Sequence, residues 1–519
     1  MPAETFFEQQ GLDENPIIVK RFNLPIGQNS NDCPEAIAEH EVALLQNADL
    51  SKNGVRKTRA GKSTGVGTSS GTAAVLGLNH FYPEGGTKLL TRYQNGAWQK
   101  WDGTTGWTNL VTGLAVGRAN FVIGSKKILL LEPSQNVRSY DGTTVVDEGN
   151  GATDPPRTLF GIYHKNKAIL SGNTTDRSFI YPSDTLDITT FDATKVLKVA
   201  DQDNGEMRAL VNLSLTTNHG FIAFKDNATF FVDSANADPV NWSIILIDAA
   251  HGCFAGRTAV AVGSTRSIGQ SGDVIYVSRE GQKFRVRSLI RTVSDALHNA
   301  GVLSDAIEDV LDAVSDANMS NASAFYFDDK YILSIPSGSS TFNDTVCVLD
   351  LKSSIPSQGF WKWTIFKGWS IDCFSVFEDN GIEDLYGGEA DGTDTEVYKL
   401  FSGTSDSGTA IQFIEEGRRE DFGFPELRKT FEHVEVQFLA TDVTLATVLA
   451  QIDGGGFSTL GTVDVSSSGP TLAINLPFDL SAQARVRAKF PLDGLGTGRD
   501  VQVRVEHSDL DKTEIGRAS

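Results

Sequence analysis

Arg56, Lys57, Arg59 and Lys62 crowd into one stretch, ALLQNADLSKNGVRKTRAGK at residues 43–62, in a chain whose formal charge is −21. Grouped cations can grip the phosphates of a nucleic acid, dock on an acidic protein surface, or stand in a solvated hairpin. The acidity of the whole chain argues against the first role, since domains that hold DNA over a wide surface are basic. A second group is aromatic. In FWKWTIFKGW, residues 360–369, strand alternation places Trp361 and Trp363 on one face. There they could stack on a sugar ring or a base, or simply pack one sheet against the next.

Residue types suited to catalysis do not assemble into a motif. The eight histidines include no HExxH pair, and Cys33, Cys253, Cys347 and Cys373 form no CxxC pair, so neither zinc nor a disulfide is expected. The Asp-rich stretches DGTDTEV and DQDNGE lack full calcium-loop spacing. No GxSxG elbow is present, and Gly61-Lys62-Ser63 is not a P-loop, because position 56, where that loop needs glycine, is arginine. No catalytic residue, cofactor or metal is expected. Charge and composition otherwise describe a folded chain: 40% of residues are hydrophobic, and no apolar run is long enough to span a bilayer. The opening MPAETFFEQQGLDENP lacks a basic-then-apolar pattern, so no signal peptide is expected and folding in a cytoplasm is.

The elements that must position these residues are mainly β. Residues 1–75 read as an N-terminal arm: a short helix in DCPEAIAEHEVALLQNADL, with Asp32 as N-cap, a turn at Lys52-Asn53-Gly54, and a Gly/Ser/Thr-rich linker. Residues 76–405 alternate in short segments split by tight-turn dipeptides, Asn95-Gly96, Asp102-Gly103, Asp141-Gly142, Asp226-Asn227, Glu280-Gly281 and Asp328-Asp329. Units recurring at roughly 35 to 50 residues are the spacing of four-stranded propeller blades. The expectation is a β-propeller of about seven blades, six to eight fitting the pattern. Residues 294–318 interrupt it with a helical stripe, Leu303, Ile307, Val310, Leu311 and Val314, a candidate subunit contact or a helix lying on the propeller's flank. Residues 411–519 alternate over longer runs, with Val434, Val436 and Phe438 on one face and Val501, Val503 and Val505 on another, as in a β-sandwich.

Two family resemblances follow from these stretches. WDGTTGW and YDGTTV resemble in part the Asp-box turns of sialidases, without their leading Ser, so a glycosidase or a carbohydrate-binding propeller is an alternative reading. The broader likeness lies in LLQNADLSKNGVRKTRAGKS, which resembles the LxNxD…G…R+RxG opening of tailed-bacteriophage virion proteins, and in RKTFEHVEVQF…QIDGGGFSTLG…VQVRVEHSDL, which resembles their terminal β-sandwich. The resemblance points to the tail nozzle, or tail-tube, proteins of short-tailed double-stranded-DNA phages. It implies a structural protein without a catalytic centre, assembled in the host cytoplasm and carried in the virion tail. It further implies a homohexamer beneath the head-to-tail adaptor, beside tailspikes or tail fibres, through which DNA passes without sequence-specific binding. Under this reading Arg56, Lys57, Arg59 and Lys62 dock on a subunit or adaptor, or tether the arm to an acidic surface of its own chain.

Overall fold

The computed structural model of the chain describes residues 6–8, 17–19, 27–51, 56–67, 72–104, 106–213, 220–263, 272–294, 301–355, 360–379, 381–393, 396–439, 445–465, 485–509 and 514–518. They divide into two compact units, one of residues 63–352 and 368–400, the other of 1–62, 353–367 and 401–519.

In the first unit, seven antiparallel sets of three or four strands follow one another as blades among the described residues. Blade one is Val75–Phe81, Leu89–Gln94, Ala97–Trp101 and Thr108–Val111. Blade two is Asn120–Gly124, Lys127–Leu131, Arg138–Tyr140 and Val145–Asp147; blade three is Phe160–His164, Lys167–Ser171, Phe179–Pro182 and Leu197–Lys198. Blade four is Met207–Asn212, Gly220–Lys225, Thr229–Asp233 and Ser243–Asp248. Blade five (Val260–Val262, Asp273–Glu280, Lys283–Ser288), blade six (Ser323–Phe327, Lys330–Ile335, Thr345–Ile355) and blade seven (Ile371–Asp379, Ile382–Glu389, Val397–Lys399) complete the series. The first strand of each blade contacts the first strand of the next, and that of blade seven contacts that of blade one. This closed cycle of up-and-down sheets is a β-propeller, as the sequence led one to expect.

Local chemistry explains the hairpins. Asn95 and Gly96 adopt φ of 43° and 67° between their two strands, the left-handed pair that a two-residue turn needs. Asp328 and Asp329, at 47° and 56°, do the same in blade six. Asp102 and Asp141 cap their turns by accepting hydrogen bonds from the backbone and hydroxyl of Thr104 and Thr143 respectively. These Asx turns account for WDGTTGW and YDGTTV as hairpin tips.

The ring is tied shut by an early segment. Ser63 and Val66 donate backbone hydrogen bonds to the carbonyls of Lys399 and Val397, extending blade seven with chain that precedes blade one. The expected linker over residues 61–75 is therefore a paired edge where it is described. The turn at Lys52-Asn53-Gly54 lies outside the described residues.

The helical interruption is shorter than its stripe suggests. Among the described residues from 301 onward it is α-helical at Glu308–Asp312 and Asp316–Met319, with Asp305–Ile307 a 3-10 turn; a further helix, Leu289–Ser294, ends where the interruption begins, and residues 295–300 lie outside the described set. Leu303, Ile307, Leu311 and Val314 are buried and Val310 half-buried. Glu308–Asp312 packs on the last strand of blade five, where Arg285 bridges to Glu308 and Asp312. A stripe already covered by its own blade offers no subunit contact, which corrects that reading. Leu311→Ala should cost about 2–5 kcal/mol of stability, with the mass of the native particle unchanged by light scattering.

The second unit is a two-layer β-sandwich. One sheet runs in the order Phe360–Phe366, Leu44–Gln46, Ile411–Glu416, Val501–Asp509, Leu445–Ile452, Ser458–Asp464; the other runs Arg485–Pro491, His433–Leu439, Glu514–Ala518, Arg56–Thr58, Ala48–Asp49. Leu45, Phe413, Val448 and Val505 from the first sheet share a core with Val436, Phe438 and Phe490 from the second. The sandwich is as expected, but its membership is wider: Leu44–Gln46, Ala48–Asp49 and Arg56–Thr58 are strands within it, and no described residue of 27–51 is helical. Apolar side chains at helical spacing lose to the sheet because Leu45 and Val42, 0% and 1% exposed, serve a core whose other strands come from residues 360 onward. Asp32 bonds with Asn29 and caps no helix.

Candidate functional site

The basic cluster is built from Asn47 outward. Asn47 sits at φ 56° between two short strands and is 2% exposed. Its carbonyl oxygen accepts from Arg59 Nε (2.9 Å) and from the Lys367 backbone (2.9 Å), while its amide donates to Gln412 O (2.8 Å). Arg59 is fully buried and forks onto Asp406 with contacts of 2.9 and 2.6 Å, adds Lys367 O at 2.8 Å, and lies over the Phe366 ring. Arg56, also buried, pairs in bidentate fashion with Glu415. Lys57 reaches Asp49 at 3.4 Å, half-exposed. The Lys62 backbone donates to Asp406 Oδ1. Gly61 is obligatory, since a Cβ there would stand 1.9 Å from Ser405 O.

Planar guanidinium groups suit such buried forks better than lysine would, which is why the two inward positions are arginines. Arg56 and Arg59 are thus withdrawn from any adaptor, subunit or DNA and tie the early strands into their own sandwich. The structure corrects the docking assignment for these two. Trp361 and Trp363 are likewise interior, 8% and 0% exposed, on a strand buried on both faces, so neither presents a face to a glycan. Trp363→Ala should remove about 3–5 kcal/mol of stability, read as a lowered urea midpoint, and leave glycan-array signals as they were.

The propeller holds a second charged cluster, which sequence reading missed. Asp372, 1% exposed on the first strand of blade seven, accepts from Arg118 (3.0 and 3.2 Å) and from Arg257 (2.8 Å). Arg118 precedes blade two and Arg257 lies in the 3-10 turn Gly256–Thr258 before blade five, so three blades meet at one carboxylate. Arg257 also donates to Asn321 O at 2.9 Å. Burial pushes the Asp372 carboxyl up, but the Arg257 and Arg118 guanidinium groups outweigh it and hold the group below the ordinary carboxylate value. Next to the cluster is a cavity of about 220 Å³ lined by first strands of blades one, two, six and seven together with Arg257. Burial also pushes the thiol of Cys373, which lines it, well up, so it stays protonated.

A signal for this cluster was present. Arg-(Ala/Thr)-x-(Phe/Val) recurs as Arg118-Ala119-Asn120-Phe121, Arg157-Thr158-Leu159-Phe160, Arg208-Ala209-Leu210-Val211 and Arg257-Thr258-Ala259-Val260, each leading into or lying within a first strand. The repeat marks four blades. Two of its arginines turn to Asp372, whereas Arg157 bonds to Asn136 and Arg208 pairs with Glu206. Among the described residues no three His, Cys, Asp or Glu side chains converge as a metal-ligand set, and no helix is long and apolar enough to cross a membrane.

No family model and no curated protein matches the chain. It is similar to solved propeller structures. YCF48 from Cyanidioschyzon merolae is 11% identical, covering 66% of this chain and 98% of that one, with a TM-score of 0.36. The Pan2 WD40 domain of Neurospora crassa is 9% identical over 67% and 96%, at 0.37. BamB from Moraxella catarrhalis is 10% identical over 66% and 96%, at 0.36. Likeness this slight carries nothing about function, and the β-propeller class rests on the sheet order and the closed ring of first strands.

Proposed function

We propose that this chain is a structural protein of a bacteriophage tail, a subunit of a hexameric nozzle below the head-to-tail adaptor through which genomic DNA is retained and ejected. The observation that carries the reading is that both stretches on which the resemblance rests belong to one sandwich and interlock there. Leu45, Ala48 and Leu50 of the first stretch share one core cluster with Val434, Val436, Phe438 and Val505 of the second, and Asn47, Arg56 and Arg59 of the LxNxD…R+RxG segment are fastened within the same unit by Gln412, Glu415 and Asp406. A subunit whose early and late strands are joined by buried ion pairs suits a ring that must hold against the outward force of packaged DNA. Charge supports the same function. Duplex DNA carries about one negative charge per 1.7 Å of axis, and a conduit built from subunits of −21 each repels it and so does not arrest it. The nozzle is a passive conduit that makes and breaks no covalent bond, placed in the virion tail between the adaptor and the tailspikes or fibres.

Mass photometry of the purified protein, alone and mixed with a head-to-tail adaptor protein, should show a sixfold species. A monomer persisting in both would overturn the reading. The same preparation should not shift duplex DNA in an electrophoretic assay at physiological salt.

A further inference from the structure

We infer that the central cavity of the propeller is a binding site for a small organic carboxylate. Two buried donors among its lining residues have no hydrogen-bond partner among the described residues: Arg257 Nε, on a side chain 9% exposed, and Ser323 Oγ, on a residue 4% exposed. Buried polar groups are nearly always satisfied, so two orphaned donors around one cavity mark a place for an acceptor. The charge agrees with that sign. The cluster at its edge sets two guanidinium groups, Arg118 and Arg257, against the single carboxylate of Asp372, leaving one positive charge in excess in an otherwise acidic protein. Burial pushes the His80 imidazole, also in the lining, below its ordinary value against the pull of Glu383, so it contributes no charge and the cation among the lining residues is Arg257.

Size and lining define the rest of the ligand. About 220 Å³ is room for roughly seven waters' worth of volume, enough for a molecule of a few heavy atoms and too little for a sugar chain or nucleotide. Phe121, Phe325 and Phe374 line the same cavity as the donors, so the occupant has an apolar body as well as a charged head. Asn79, His80 and Asn120 are half-exposed, which leaves the cavity open to entering solutes.

The test is calorimetric titration of the full-length protein with butyrate, its neutral isostere butyramide, and inorganic phosphate. Butyrate should bind saturably, and butyramide and phosphate at least tenfold more weakly. Failure of butyrate to bind up to about 10 mM overturns the inference, as does phosphate binding as tightly as butyrate. Ser323→Ala removes one donor and should weaken butyrate by about tenfold or more, and Ala324→Val, which narrows the cavity, should abolish binding. Wild-type affinity in either folded variant overturns the inference.

Discussion

Replacing Arg59 by methionine should lower the unfolding free energy of the sandwich by about 3–5 kcal/mol. The arginine is fully buried, and its removal takes the bidentate guanidinium partner from the Asp406 carboxylate, 8% exposed in a weakly screening interior. It also strips a donor from Asn47 and another from the Lys367 carbonyl. Arg59→Lys should recover little, because an ammonium cannot fork onto two carboxylate oxygens and still reach two further acceptors. The double variant Arg59→Met with Asp406→Leu should recover much of the loss, since a well-packed apolar pair is often as stable as a buried ion pair. Urea unfolding followed by far-UV circular dichroism measures all three. A loss under about 1 kcal/mol in the single variant is the behaviour of an exposed pair and would contradict the geometry.

The propeller's counterpart is Asp372. Asp372→Leu should cost about 3–5 kcal/mol as well, now by leaving Arg118 and Arg257 as like charges facing one another in the interior. This carboxylate also fixes a pH dependence. Its folded-state pKa lies below the unfolded one, so its contribution is fully present above the ordinary carboxylate value of about 3.9 and is lost as pH falls through the lowered folded value. Wild-type protein should therefore lose stability on acidification in that window, and Asp372→Asn should show a shallower slope there while being less stable at neutral pH. Equal slopes in the two proteins would exclude Asp372 as the group responsible.

How much of this was legible depended on whether the deciding contact was near in sequence. Asn95-Gly96 and Asp328-Asp329 announced their turns because a two-residue hairpin is fixed by the φ of its own residues. The faces of the sandwich were readable from Val434, Val436 and Phe438, long alternating runs that end up buried. Leu44–Gln46, Ala48–Asp49 and Arg56–Thr58 were not readable, because strands of two or three residues carry no periodicity and their partners lie hundreds of positions away, as Glu415 and Ile515 do from Arg56. Which segments pack into one unit was hidden for the same reason. The aromatic strand Phe360–Phe366 looks like part of a blade, yet Ile365 pairs in parallel with Gln46 and the segment belongs to the sandwich. The helical stripe over 303–314 was correctly apolar, but periodicity names a buried face without saying what buries it. The cation cluster divided in the same way. Spacing grouped the four side chains, and only the fold separates two inward arginines from two lysines.

The braid of early and late strands in the sandwich imposes a timetable on synthesis. Residues 63–400 contain everything the ring needs, so that body can close while the ribosome is still translating. Leu44–Gln46 and Arg56–Thr58 must meanwhile wait for strands at 360–366, 411–416 and 514–518, carrying Arg56 and Arg59 without their carboxylates. A nascent chain stalled before residue 411 therefore displays unmated edges, the form most prone to sticking to its neighbours and most in need of a chaperone.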